Sequence, residues 1–173
     1  MLKSHELIGF MSPTLANEIM AFTFDEEKPL RAAIIQAVAE ARHLRPAFVQ
    51  RKPRAEQATM ILATLTRPNL DAAAGTLLRT WLVKKQSAML VDFLNALDIP
   101  NEKGVVEDLP ATVPDEKLNA AVDLLLAKHP TEAVVVYLNA FYDMNGPGNA
   151  AAPPFWPNLK ALLEADARLQ LLA

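Results

Sequence analysis

Apolar residues recur with the spacing of an α-helix in two segments of the chain that lie 44 positions apart. Positions i, i+3, i+4 and i+7 are apolar in both segments: Leu90, Phe93, Leu94 and Leu97 in the first, and Val134, Tyr137, Leu138 and Phe141 in the second. This spacing is typical of helices that bury one face. A similar stripe precedes each of them, over residues 74–82 and 118–126. The pattern therefore predicts two helical hairpins, at residues 70–98 and 115–142.

The two segments are also similar residue by residue. Eight of the 31 aligned positions in 74–104 and 118–148 are identical: Leu82 and Leu126, Lys84 and Lys128, Val91 and Val135, Leu94 and Leu138, Asn95 and Asn139, Ala96 and Ala140, Asn101 and Asn145, and Gly104 and Gly148. A stripe in the same register lies upstream, from Leu30 to Val38. The second helix expected after this stripe is interrupted at Pro46, and an apolar stripe reappears only near Ala58. This pattern predicts a degenerate hairpin over residues 30–66 with an enlarged loop.

Glycine and proline mark the end of the last hairpin. The sequence Asn145-Gly146-Pro147-Gly148 is expected to stop it, because glycine tolerates left-handed geometry and proline cannot extend a helix. The proline-rich segment 149–157 is expected to be extended. A final helix is predicted over residues 157–171.

A repeat of roughly 40–47 residues resembles the broad class of helical-hairpin arrays of HEAT or armadillo type. The predicted fold is thus all-α, a short stack of antiparallel helical hairpins in a single domain, residues 1–173, with a compact helical bundle as the rival. The resemblance implies an architecture and no activity, since function depends on a site.

The composition excludes several classes of protein. The chain has no cysteine, so it has neither a disulfide framework nor a thiolate metal site, and no apolar run approaches the length of a membrane span. We therefore expect a cytoplasmic protein that is not associated with a membrane. The chain of 173 residues is long enough for one well-buried core.

No catalytic motif is present. The sequence lacks a nucleophile elbow, a phosphate-binding glycine loop and a dinucleotide fingerprint, and its histidines, His5, His43 and His129, lack the spacing of metal ligands. We predict no catalytic residue, no cofactor and no metal, which favours a non-catalytic protein. His129 is expected to be a solvent-facing residue at a helix end. The carboxylates Glu107, Asp108, Asp115 and Glu116 are interpreted as a solvated acidic rim.

Charge is unevenly distributed along the chain, although the net charge is only −3. Residues 31–85 contain ten Lys/Arg and three Asp/Glu, whereas residues 86–173 contain five and twelve. Part of the positive charge lies in the insertion and surrounds one aromatic residue: Arg42, His43, Arg45, Phe48, Arg51, Lys52 and Arg54. Arginine forks bind phosphate or carboxylate groups and an aromatic ring can stack on a base, so this segment is the first candidate for a partner-binding or phosphate-binding site.

A second candidate is a groove between the hairpins. Four aromatic residues fall near the predicted hairpin contacts: Trp81, Phe93, Tyr137 and Trp156. Asn95 and Asn139 occupy equivalent positions beside the apolar stripes. They either line the groove as a polar ladder or cap carbonyls of a neighbouring loop.

Three functions follow from these candidates. The first is a non-catalytic interaction or adaptor module that binds a protein partner, or a second copy of itself, through its charge-segregated surfaces. The second is a nucleic-acid-binding protein that uses residues 42–54, which the overall acidity of the chain disfavours. The third is a small-molecule sensor or enzyme with a pocket between the hairpins.

Overall fold

The protein is all-helical in the part of the chain that the structure, a computed structural model, describes, residues 1–146 and 155–171. The predicted all-α class is confirmed. The helices are α1 Ser4–Phe10, α2 Pro13–Asp25, α3 Lys28–Ala41, α4 Pro46–Gln50, α5 Arg54–Leu65, α6 Asp71–Lys85, α7 Ser87–Ala96, α8 Asp115–Lys128, α9 Thr131–Asn145 and α10 Pro157–Ala165. Short 3-10 turns occupy Pro68–Leu70 and Ala167–Leu169.

The chain divides into two compact units. The N-terminal unit comprises Leu2–Trp81 and the C-terminal unit comprises Leu82–Leu172, so the boundary falls within helix α6. The N-terminal unit contains ten Lys/Arg and eight Asp/Glu, a net charge of +2, whereas the C-terminal unit contains seven and twelve, a net charge of −5. The contrast in charge is smaller between the units than along the sequence, because the acidic residues 2–30 belong to the N-terminal unit and Lys84 and Lys85 to the C-terminal unit. That residues 1–173 form a single domain remains a prediction.

In the N-terminal unit, α2 and α3 are joined by a tight connection and pack together. Helices α3 and α5 run in the same direction. Arg31, near the start of α3, donates to Gln57 of α5 (3.2 Å), and Arg42, which caps the end of α3, donates to Thr64 near the end of α5 (2.5 Å). The short helix α4 lies in the connection that leads from the end of α3 back to the start of α5. The predicted hairpin over residues 30–66 therefore contains three helices.

Helix α3 ends in a Schellman motif built on His43. His43 has a left-handed φ of 55°, its amide donates to the carbonyl of Glu40, and the amide of Leu44 donates to the carbonyl of Ala39. This turn directs the chain into α4. The predicted enlarged loop is therefore an ordered segment with its own helix.

In the C-terminal unit, α9 is surrounded by protein. Every residue from Ala133 to Tyr142 is buried, and α8, α10 and the last 3-10 turn pack against the helix. The prediction that α9 buries only one face is therefore wrong. A helix that is apolar on all sides belongs in the interior, and Ala133, Val135 and Val136 make α9 such a helix.

The sequence repeat corresponds to the starts of helices but not to their ends. Asp71 and Asp115 begin α6 and α8, and Ser87 and Thr131 begin α7 and α9, each pair 44 residues apart. Helix α7 stops at Ala96, whereas α9 continues to Asn145.

Three further predictions fall at the end of the chain. Gly148, which aligns with Gly104, and most of the proline-rich segment, residues 149–154, lie outside the described residues. Gly146 does end α9, as its C-cap residue. The final helix begins at Pro157, as predicted, and ends at Ala165, where Asp166 caps the 3-10 turn Ala167–Leu169 by accepting from the amide of Arg168.

Candidate functional site

Two of the arginines in the predicted basic segment are held by their own unit. Arg54 forms a two-pronged ion pair with Asp25, at 2.6 and 2.9 Å, and stacks over the ring of Phe24. The hydrogen bond from Arg54 lowers the pKa of Asp25. Arg42 donates to Thr64, which is fully buried. These two cations join helices of the N-terminal unit.

The other residues of the segment lie in α4 or just before and after it, and all of them except the half-buried Lys52 are exposed. Arg45, Phe48 and Arg51 follow each other at intervals of three residues, which places them on neighbouring turns. The Phe48 side chain is 53% exposed, and the Nζ of Lys52 lies 5.0 Å from its ring centre. Among the described residues, His43, Arg45 and Arg51 form no side-chain hydrogen bond or ion pair, and all three are exposed. We call His43, Arg45, Phe48, Arg51 and Lys52 the basic surface.

A depression beside this segment is small. It has a volume of about 440 Å³ and is lined by Arg42, Lys52 and residues of α5, including Glu56 and Met60. Lys52 pairs with Glu56 at 3.5 Å. This depression is open to solvent, and Lys52 is the one residue of the basic surface that lines it.

A larger cavity lies in the C-terminal unit. It has a volume of about 1060 Å³ and is bounded by the end of α6, the start of α7 and the loop that follows α7: Val83, Lys84, Ser87, Pro100, Asn101, Glu102, Lys103, Val105, Val106, Glu107 and Asp108. We call it the acidic groove. Two exposed apolar side chains, Val83 and Val105, contribute to its lining.

One wall of the acidic groove is a two-residue turn held against α7. Glu102 and Val105 exchange backbone hydrogen bonds of 2.8 and 3.0 Å, and the intervening Lys103 and Gly104 have φ values of 53° and 86°. Positive φ at both central residues defines a type I′ turn. The Cα of Gly104 packs so closely on Leu90 that a β-carbon there would lie 2.4 Å from Leu90 Cβ.

Asn101 fixes this turn to the end of α7. Its Nδ2 donates to Asn95 Oδ1 (3.0 Å) and to the Ile99 carbonyl (3.1 Å), and its Oδ1 accepts from the amide of Gly104 (3.1 Å). Asn95, in the last turn of α7, therefore binds a side chain of the loop that follows this helix. The turn is anchored through both its side-chain clamp and its glycine.

The acidic groove carries more negative than positive side chains. Glu102, Glu107 and Asp108 are exposed, and none of them has a side-chain partner within residues 1–146 and 155–171. Lys84 and Lys103 also line the groove, which leaves a net charge of −1. Sequence reasoning missed Val83, Glu102 and Val105, although glycine at the second position of Lys103-Gly104 is a recognised turn signal that could have indicated the wall.

The aromatic residues of the predicted inter-hairpin groove are buried. Phe93, Tyr137 and Phe141 pack edge to face with ring centres 5.5 to 5.8 Å apart, and Trp156 lies 5.4 Å from Phe141. The Trp156 indole donates to the carbonyl of Pro110 (2.8 Å). Trp81 is also buried and belongs to the N-terminal unit. Their assignment to a ligand groove remains a prediction.

Asn139 and Tyr137 are among the polar side chains buried in the C-terminal unit. Asn139 is buried and donates to the Val135 carbonyl of its own helix (2.9 Å). The Tyr137 hydroxyl is buried and forms no hydrogen bond within the part of the chain described, and burial raises its pKa. The equivalent asparagines Asn95 and Asn139 thus make different hydrogen bonds within the unit, and their assignment to a polar ladder remains a prediction.

Two histidines form ion-pair contacts within their own units. His129 Nε2 lies 2.8 Å from Asp92 Oδ2, and its side chain is only 15% exposed, so the prediction of a solvent-facing residue is wrong. This hydrogen bond lowers the pKa of Asp92, with burial opposing the shift and Lys128 adding to it. His5 Nδ1 lies 2.7 Å from Asp71 Oδ1 at the start of α6. Burial raises the pKa of Asp71, but hydrogen bonds from the His5 amide and ring outweigh this effect, and the pKa is lowered.

Over residues 1–146 and 155–171, no helix is long and apolar enough to cross a membrane. A comparison with models of protein families, a search of curated proteins and a search of solved structures each found no match to the chain.

Proposed function

We propose that the chain is a non-catalytic interaction module whose basic surface binds an acidic surface on another protein molecule. The contrast among the arginines carries this proposal. Arg42 and Arg54 are bound by side chains of their own unit, whereas Arg45 and Arg51 have no partner in the described chain.

The chemistry of the basic surface suits a protein partner. A guanidinium offers parallel N–H donors that match the two oxygens of a carboxylate. Between Arg45 and Arg51, Phe48 presents apolar area that a partner would remove from water. Arginine and aromatic residues together are enriched at the centres of protein interfaces.

Nucleic acid fits the basic surface less well. Lys52 already lies over the Phe48 ring, where a base would stack. The N-terminal unit has a net charge of only +2, and two unpaired arginines offer few phosphate contacts compared with the basic stripe that such proteins carry. Carboxylates of a protein are therefore the better match.

Fluorescence anisotropy with two labelled probes tests the proposal. One probe is a peptide that alternates acidic and apolar residues, and the other is a single-stranded oligonucleotide. We expect the chain to bind the peptide and R45E/R51E to bind it more than about tenfold more weakly, because like charges then face each other. The matched control K117E/K160E changes the net charge equally at exposed helix positions of the C-terminal unit and should bind as the unchanged chain does.

Equal peptide affinity of R45E/R51E and the unchanged chain would overturn the proposal. Binding of the oligonucleotide alone, with an affinity that falls steeply with salt, would replace it by the nucleic-acid hypothesis. Circular dichroism of each variant confirms that the fold is retained, which we expect because Arg45 and Arg51 are exposed and form no internal bonds in the described residues.

A further inference from the structure

The basic surface and the acidic groove are complementary in charge and in apolar character. The basic surface offers two arginines without internal partners, and the acidic groove offers three carboxylates without side-chain partners in the described chain. Each surface also exposes apolar groups: Phe48 on the first, Val83 and Val105 on the second. Only two other large apolar side chains of the described residues, Met1 and Phe10, are exposed.

We propose that the acidic groove receives the basic surface of a second copy of this chain. This inference rests on the proposed function and identifies the acidic partner as the chain itself. In such a contact, Phe48 enters the groove beside Val105, and Arg45 and Arg51 approach Glu107 and Asp108. One copy then contributes its N-terminal unit and the other its C-terminal unit.

The shapes of the two surfaces agree with this pairing. Phe48 projects from a single short helix, α4, which the neighbouring buried Val49 anchors. The acidic groove, at about 1060 Å³, is large enough for side chains from such a helix. Its wall is fixed in place by Asn101 and Gly104, so little ordering is required on binding.

Because the two surfaces differ, the contact is head to tail. Head-to-tail contacts form rings if they close and open chains if they do not, whereas a two-fold dimer uses one surface twice. The assembly should therefore grow with concentration and weaken with salt. The screening length falls from about 10 Å at about 0.1 M salt to about 3 Å at about 1 M salt. Charges separated by distances in this range therefore attract each other less at high salt, and the association weakens.

Mixing two variants with different defects tests this geometry. R45E/R51E has a defective basic surface and an intact groove, and E107R/D108R has the reverse. In sedimentation velocity, we expect the unchanged chain to form concentration-dependent assemblies and each variant alone to associate more than about tenfold more weakly. Their mixture contains two compatible contacts, one between the unchanged surfaces and one between the two reversed surfaces, and should again form concentration-dependent assemblies in which the variants alternate.

Two more variants sharpen the test. The fourfold variant R45E/R51E/E107R/D108R exchanges the charges and should recover self-association. Lys103→Asn removes a positive charge from the groove and suits the left-handed φ of 53°, so it should tighten the association. K117E/K160E again controls for net charge.

A chain that stays monomeric at all concentrations, variants that associate like the unchanged chain, or a mixture that associates no better than either variant alone would each overturn the inference. The peptide experiment separates this failure from failure of the proposed function. If the chain is monomeric but binds the acidic peptide through Arg45 and Arg51, the proposed function stands. Only the second copy is then excluded as the partner.

Discussion

Gly104 lies against Leu90 so closely that a β-carbon at position 104 would fall 2.4 Å from Leu90 Cβ. Gly104 also has a φ of 86°, a conformation that side-chain-bearing residues rarely adopt. This contact fixes the turn that forms one wall of the acidic groove to helix α7.

We therefore predict that Gly104→Ala destabilises the protein. A residue with a side chain in this left-handed conformation costs roughly 1–2 kcal/mol. The clash of the new β-carbon with Leu90 Cβ must in addition be relieved by a movement of the turn. We expect the free energy of unfolding, measured in urea, to fall by about 2 kcal/mol or more. Gly9→Ala is the matched control, because its new carbon would meet only Thr66 Cγ2 at 3.6 Å. Equal stability of Gly104→Ala and the unchanged chain would show that the turn does not pack on Leu90.

Asn101→Ala should loosen the same turn without a steric clash. The substitution removes three hydrogen bonds, including the one from the amide of Gly104. A typical intramolecular hydrogen bond contributes about 1 kcal/mol, and we expect a loss of about 1–3 kcal/mol with faster hydrogen exchange at residues 102–105. Asn95→Ala removes one of the three bonds and should have a smaller effect. Unchanged hydrogen-exchange rates at residues 102–105 in Asn101→Ala would contradict the conclusion that Asn101 holds the turn.

The contact between Asp92 and His129 predicts a specific dependence of stability on pH. Because the folded pKa of Asp92 lies below its value in the unfolded chain, the carboxylate stabilises the fold above the unfolded pKa of about 3.9. That contribution is lost as the pH falls through the lowered folded pKa. Asp92→Asn should be less stable than the unchanged chain at neutral pH, by about 1 kcal/mol, and the difference should shrink below about pH 4.

Chemical denaturation at several pH values measures this difference. Asp98→Asn is the control, since Asp98 forms an exposed pair with Lys117 and asparagine also tolerates the left-handed φ of 57° at this position. A stability difference for Asp92→Asn that stays constant down to about pH 2 would contradict the lowered pKa.

Tyr137→Phe should leave stability unchanged or raise it by about 1 kcal/mol. The Tyr137 hydroxyl is buried and has no hydrogen-bond partner in the described chain, so the fold loses its hydration without compensation. Removing the hydroxyl removes this cost and leaves the ring packed on Phe93 and Phe141. Thr64→Val is the contrasting variant, because the buried Thr64 hydroxyl donates to the Met60 carbonyl and accepts from Arg42. It should lose about 1–2 kcal/mol. A clear loss in the melting temperature of Tyr137→Phe would indicate a partner for the hydroxyl.

His43→Gly should stabilise the end of α3. His43 occupies the left-handed position of the Schellman motif, where glycine is preferred, and we expect a gain of about 0.5–1 kcal/mol in thermal or urea unfolding. Leu44→Gly, one residue later, lacks this benefit and should be neutral or destabilising. A loss of stability in His43→Gly would mean that its ring supports the local structure.

Local pattern predicted the helical class and several helix boundaries. The stripes Ala74 to Leu82 and Leu90 to Leu97 correspond to α6 and α7, and the 44-residue displacement recurs in the helix starts Asp71 and Asp115. Periodicity succeeds here because side chains three and four residues apart lie on one face of a helix. It could not distinguish α9, whose other faces are covered by α8 and α10.

The sequence by itself determined the helical class, the uneven charge and the basic segment around Phe48. Tertiary structure decided which of those charges are free: Asp25, 29 residues from Arg54, binds it, and Thr64 binds Arg42, while Arg45 and Arg51 remain without partners in the described chain. It also decided that Val83 and Val105 line one cavity with Glu107. The physical reason is that helix formation depends on neighbours within one or two turns, whereas ion pairing and cavity shape depend on residues that only folding brings together.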